Sequence, residues 1–193
     1  LGHHVEPACP QVDHAALRRC CSTIWDVELA GLAATFAHAT GREVTPATVE
    51  AASRGCVRRG RQTPALQLAA AQGIANSTAR RWGRFLDLYD AFLCPVTLDV
   101  APPSGRPDQD DPRYEHEVEW LDDLAAHLPF TPIANLTGQP AISLPLAEHD
   151  GLPIGVMLTA QALREDLLLG LAAQLEVSLP WDDRRPRVVA DRR

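Results

Sequence analysis

Six serines, five cysteines and seven histidines are the residues of this 193-residue chain that could act as nucleophiles or proton acceptors. A serine hydroxyl is a weak nucleophile until a base within hydrogen-bond reach takes its proton. None of Ser22, Ser53, Ser77, Ser104, Ser143 and Ser178 stands in a GxSxG elbow. Ser143, inside the apolar run "AISLP", is the only one with an interior setting, and alternation with Ile142 and Leu144 makes it a satisfied strand hydroxyl. Cys94 closes a short apolar run ahead of a loop, a place where catalytic groups sit, but a small buried strand residue is the simpler expectation. His3 and His4 are adjacent, His116 and His127 are too far apart for one helix face, and no HExxH occurs, so no zinc site is expected. Asp108 to Asp111 lie among prolines without ligand spacing and read as a solvated loop.

All 18 basic residues are arginine, and lysine is absent. This excludes a Walker A sequence and any mechanism in which a lysine amine of this chain moves a proton. A formal charge of −7 argues against binding a nucleic-acid backbone. The one basic run, "RGCVRRGR" from Arg54 to Arg61, reads as a solvated helix end needing no partner. Five cysteines without a CxxC fit free thiols in a reducing compartment. The first residues, "LGHHVEPACP", lack the basic and apolar regions of a secretory signal, which makes the cytoplasm the expected location. No apolar run approaches the roughly 20 residues of a membrane span.

The elements that would position such groups fall in two halves of one region spanning 1–193. From 13 to 90 the pattern is helical. Asp13 is a fair N-cap, Leu17, Cys21, Ile24, Trp25, Leu32 and Phe36 recur at helical spacing, and "TG" at Thr40 and Gly41 ends the run. "TPATVEAASRG" predicts a second helix with Thr45 as cap, Pro46 at its first position and Gly55 near its end. Thr63 and Pro64 open a third, running through Trp82 and Phe85 to Tyr89. From 91 to 178 the period changes. Ala91 to Cys94 reads as a strand, Pro102 to Pro112 as an exposed loop, and "PRYEHEVEWLDDLAAHL" as a helix. Ala141 to Leu146 and Pro153 to Ala160 read as a hairpin turning at Asp150 and Gly151. Leu163, Leu167, Leu168, Leu171 and Leu175 make one face of a last helix, and 179–193 is a polar tail. Strands so few and so apolar imply partners for their edges.

Within the second half lies "FTPIANLTGQPAISLP", a segment stiffened by proline and glycine yet carrying Thr131, Asn135 and Thr137. Followed by "DGLPIGVMLTA" and a helix with "LAAQLE", it resembles the carboxy-terminal part of the amidase signature family of serine amide hydrolases. Upstream, "YDAFLCPVTLDVAPP" is similar to a strand and loop of that family, and "LGHHVEPACPQVD" to the helix end and strand before its helical region. Arg106 to Leu128 matches least. The helical region and "PWDDRRP" resemble the branch of 6-aminohexanoate-cyclic-dimer hydrolases, which cleave aminohexanoate amides.

The resemblance implies an α/β fold, with helices around a central mixed sheet of which this chain supplies some strands. It implies hydrolysis of a small-molecule amide without metal or organic cofactor. The family uses a serine nucleophile, a second serine in a cis peptide and a lysine, with backbone amides of a Gly-Ser-rich segment as oxyanion hole. Those parts lie amino-terminal to the matched region, so no catalytic residue is carried over and the chain alone is expected to be inactive. Phe130, Thr131, Ile133 and Asn135 are the expected substrate-lining residues, although Asn135 and Thr137 would equally serve to pin a turn. A missing amino-terminal lobe or a second copy would cover the strand edges. The rival readings are a non-catalytic binding or assembly module and a relative of amidotransferase subunits.

Overall fold

The computed structural model describes residues 1–184, so 185–193 of the expected polar tail lie outside it. Helix α1, His14–Thr40, starts where Asp13 accepts a hydrogen bond from the Ala16 amide at 2.9 Å and stops where Gly41 turns left-handed. Helices α2 (Ala51–Gln62) and α3 (Ala65–Leu86) pack on it. The "TP" cap predicted for α2 is instead a turn. Thr48 Oγ1 donates to the Glu43 carbonyl at 2.6 Å and takes the Thr45 amide at 3.0 Å, which holds 43–48 compact and delays the helix to Ala51. Gly55 therefore lies in its first half. Tyr89 falls beyond the end of α3 but stacks on Phe85 at 4.8 Å.

Strands β1 (Ala91–Pro95), β2 (Ala141–His149) and β3 (Leu152–Ala160) form one antiparallel sheet in the order β1-β3-β2. β2 and β3 are the expected hairpin, with Asp150 at φ 50° and Gly151 at φ 75° supplying the two left-handed turn positions. Register pairs Phe92 with Thr159 and Leu93 with Leu158, so successive residues face opposite sides. On one face Leu144, Leu158 and Ala160 pack with Leu168 of α7 (Glu165–Ser178). On the other, Phe92 meets Trp82 edge-on at 5.3 Å beside Leu17, Leu86 and Ile133. The α/β class expected from the sequence is thus realised as a small sheet between helices.

β1 and β2 each keep one unpaired edge among the described residues. Both carry proline, Pro95 at the end of β1 and Pro145 at the register shift of β2, positions that tolerate a missing backbone donor. Leu163 does not join the α7 face. It sits before the helix at φ 65° and is 86% exposed, so the stripe starts at Leu167. The single helix predicted over 112–128 is two short ones, α4 (Arg113–His116) and α5 (Trp120–Ala125). Tyr114, fully buried, faces the Trp120 ring at 5.0 Å and donates its hydroxyl proton to Asp123, which fixes the corner between them.

The basic run Arg54 to Arg61 departs from the expected solvated helix end, for three of its arginines are partnered inside the helical layer. Arg59 grips the Asp26 carboxylate with two hydrogen bonds, Nε to Oδ2 at 2.7 Å and Nη2 to Oδ1 at 3.1 Å. Arg54 reaches Glu115 at 2.5 Å, and Arg58 donates to the Glu115 carbonyl at 2.9 Å. Only the partners explain why a helix this basic is half-buried, since charge enters an interior when it is paired.

The Arg54 guanidinium beside Glu115 holds that carboxyl below the usual carboxylate range. A depressed folded-state pKa adds stability that is full above the unfolded value, about pH 4.3, and is lost as pH falls through the folded one. Glu115→Gln is therefore expected to lower the melting temperature at pH 7, and the gap to the parent chain should close in acid. A gap that persists at about pH 2 would contradict this assignment.

Candidate functional site

The stiffened segment from Phe130 to Pro145 is a short helix followed by the start of β2. Thr131–Thr137 is a short helix, α6, with Pro132 in its first turn, where a missing amide proton costs nothing. Gly138, at φ 76°, closes it by donating to the Ala134 carbonyl at 2.9 Å. The same residues that read as turn punctuation are therefore helix boundary signals. From Gly138 the chain passes through Gln139 and Pro140 directly into β2.

The four expected lining residues separate on this helix. Ile133 is 3% exposed and packs against Leu17, Trp82 and Leu86, so it anchors α6 to α1 and α3. Phe130 and Thr131 are half-buried and Asn135 is exposed. Thr131 and Asn135, four residues apart, share a face. Neither side chain makes a hydrogen bond within the described residues, so both amide and hydroxyl are free for a ligand or for further protein. Thr137 differs, because its hydroxyl donates to the Ile133 carbonyl at 2.7 Å and pins its own helix.

Beside α6, the face of the sheet that carries Phe92 and Thr159 also carries Cys94, Ser143 and Gly155. A methyl group at Gly155 would lie 2.9 Å from Val96 and 3.2 Å from the Ser143 hydroxyl, so the glycine leaves room there. Ser143 is exposed on the edge strand rather than interior, and its hydroxyl has no base beside it. Cys94 is buried, and burial pushes its thiol up to about 11, which keeps it protonated at neutral pH. Burial likewise holds Cys21 at about 11 and Cys56 at about 12. None of these is an activated nucleophile. His3, His4, His116 and His149 lie at the surface, where their contacts are Gln174, Glu6, Glu115 and Asp150. No described serine or cysteine is joined to a histidine.

Among the described residues the chain presents a two-faced sheet with open edges, a polar face on α6 without hydrogen-bond partners and paired arginines on α2, and no nucleophile joined to a base. Three antiparallel strands among helices make this a mixed α/β fold. The Amidase family profile matches residues 1–169, and the chain belongs to that family.

Its relatives place the likeness along almost the whole chain. The 6-aminohexanoate-cyclic-dimer hydrolase of Paenarthrobacter ureafaciens is 35% identical over 199 aligned positions, covering 98% of this chain and 39% of that protein. The putative amidase AmiC of Mycobacterium tuberculosis is 38% identical over 146 positions, 73% of this chain and 29% of that protein. Among solved structures, 6-aminohexanoate cyclic dimer hydrolase complexed with substrate superposes with a TM-score of 0.79 at 32% identity, over 96% of this chain and 40% of that one. The chain spans about two fifths or less of the length of these relatives.

Proposed function

We propose that this chain is the carboxy-terminal part of an amidase that hydrolyses carboxamides to acid and amine. The serine pair and lysine of that reaction are supplied by residues outside the 193. The observation that carries the reading is a combination: likeness to a cyclic-dimer amide hydrolase along 98% of the chain, in a sequence without one lysine. A proton relay that ends on an amine has no terminus here.

In this reading Phe130, Thr131 and Asn135 line the substrate cleft from α6, while Ile133 holds the helix at the right height from beneath. Asn135 can donate and accept at once, which suits the two poles of an amide. The free edges of β1 and β2 take strands from the rest of the enzyme, in the cytoplasm, and the chain needs no cofactor. Amide hydrolysis is tested by joining the chain in frame to its upstream coding sequence and assaying cyclic and linear aminohexanoate amides. Turnover by the extended protein, lost when its lysine is changed to alanine, is the expected result. An upstream sequence with neither lysine nor serine pair would instead favour the binding or assembly module.

A further inference from the structure

Trp82 Nε1, Thr159 Oγ1 and Gln139 Oε1 are sealed from solvent and have no hydrogen-bond partner among the described residues. Trp82 is 3% exposed and Thr159 1%. Gln139 as a whole is half-buried, but its side-chain oxygen is covered. Buried polar groups are nearly always bonded, because one left unmet keeps the full cost of leaving water.

The three come from different elements and meet in one layer. Thr159 stands between Phe92 and Ala141, on the sheet face turned away from Leu158 and Ala160. Trp82 of α3 covers that face, its ring 5.3 Å from the Phe92 ring. Gln161, just past the end of β3, donates Nε2 to the Gly83 carbonyl at 3.3 Å, which sets this part of α3 against the Thr159 end of the strand. The Ala160 amide donates to the Pro140 carbonyl at 3.2 Å, which brings Gln139 and Pro140 to the same end. Ile133 of α6 packs in one cluster with Trp82.

Their bonding capacities differ. An indole N–H can only donate, an amide oxygen can only accept, and a hydroxyl can do either. A cation would face the N–H and an anion the amide oxygen, so one member of the set refuses each. A water accepts from Trp82, donates to Gln139 and meets the Thr159 hydroxyl, which makes about the three bonds typical of an internal water.

We infer that Trp82, Thr159 and Gln139 together bind one internal water, which ties the link between α6 and β2 to α3 and β3. Gln139 follows directly on Gly138, the residue that ends α6, so this water also fixes where α6 stands against the sheet. The site serves the chain alike as part of an amidase or as a binding module.

A crystal structure of the 193-residue chain that shows ordered water tests this. Density for one water within about 3.2 Å of all three atoms is the expected result. Gln139→Met keeps the bulk and removes the acceptor, and it should lower the melting temperature by about 2–6 °C. In the labelled variant the backbone amide signals of Thr131 and Asn135 should move. Thr159→Val should also lower the melting temperature, because the water loses a bond. Without a water, the same change would remove an unmet hydroxyl and raise it. The parent structure without that water, a Thr159→Val variant more stable than the parent, or α6 signals unmoved in Gln139→Met would each overturn the inference.

Discussion

Gly60→Ala is expected to destabilise the chain by about 3 kcal/mol or more, a fall in melting temperature of roughly 10 °C. The cause is contact, not helix propensity. A methyl group at Gly60 would stand 2.0 Å from the Asp26 carbonyl oxygen and 2.9 Å from the Ala30 methyl. The clash is with backbone, so no rotamer change relieves it and α1 and α2 must part. Parting them also stretches the Arg59–Asp26 bonds one residue away. Gly73→Ala is the control. It lies in α3 with nothing within 4 Å of the added methyl, and should stabilise by about 0.5–1 kcal/mol, because alanine loses less freedom on folding than glycine. Thermal or urea unfolding of the two variants decides. The account fails if both changes have the same sign.

Asp26→Ala is expected to cost about 3–5 kcal/mol, the range for leaving one charge of a buried pair uncompensated. The Arg59 side chain is 18% exposed and the Asp26 side chain 6%, so water cannot replace the lost carboxylate on both arms of the guanidinium. Arg59 also donates to the Cys56 sulfur at 3.3 Å, too weak an acceptor to compensate. Arg59→Met combined with Asp26→Ala should be markedly more stable than Asp26→Ala alone, since it removes the stranded charge and keeps the packing of the stem. Simple additivity of the two single changes, measured by urea unfolding, would mean that the pair is not coupled.

Local signals were legible in the sequence where the deciding interaction is local. Asp13 and Gly41 bound α1 because a cap bond and a left-handed turn each involve residues within four of one another. Asp150 and Gly151 mark the hairpin for the same reason. The misread segments depend on distant partners or on context. The arginines of α2 look solvated until Asp26 and Glu115 are brought to them from 33 and 61 residues away. The α6 segment shows only stiffening in the sequence, because proline and glycine serve helix ends as well as turns and seven residues are too few to show a period. Thr45 looks like a cap because nothing local reveals that Thr48 turns back to Glu43.

For the candidate site the sequence offered motif order alone. Motif order pointed to residues 130–135, but only packing separates Ile133, which anchors the helix, from Thr131 and Asn135, whose side chains remain free.

The central claim is that this lobe shapes an amidase pocket without carrying out the cut. Assay of the purified 193-residue chain on aminohexanoate amides tests it most directly. The account predicts no hydrolysis above the rate without protein, before or after treatment with a serine-directed reagent. Steady turnover by the chain alone, abolished by that reagent, would contradict it.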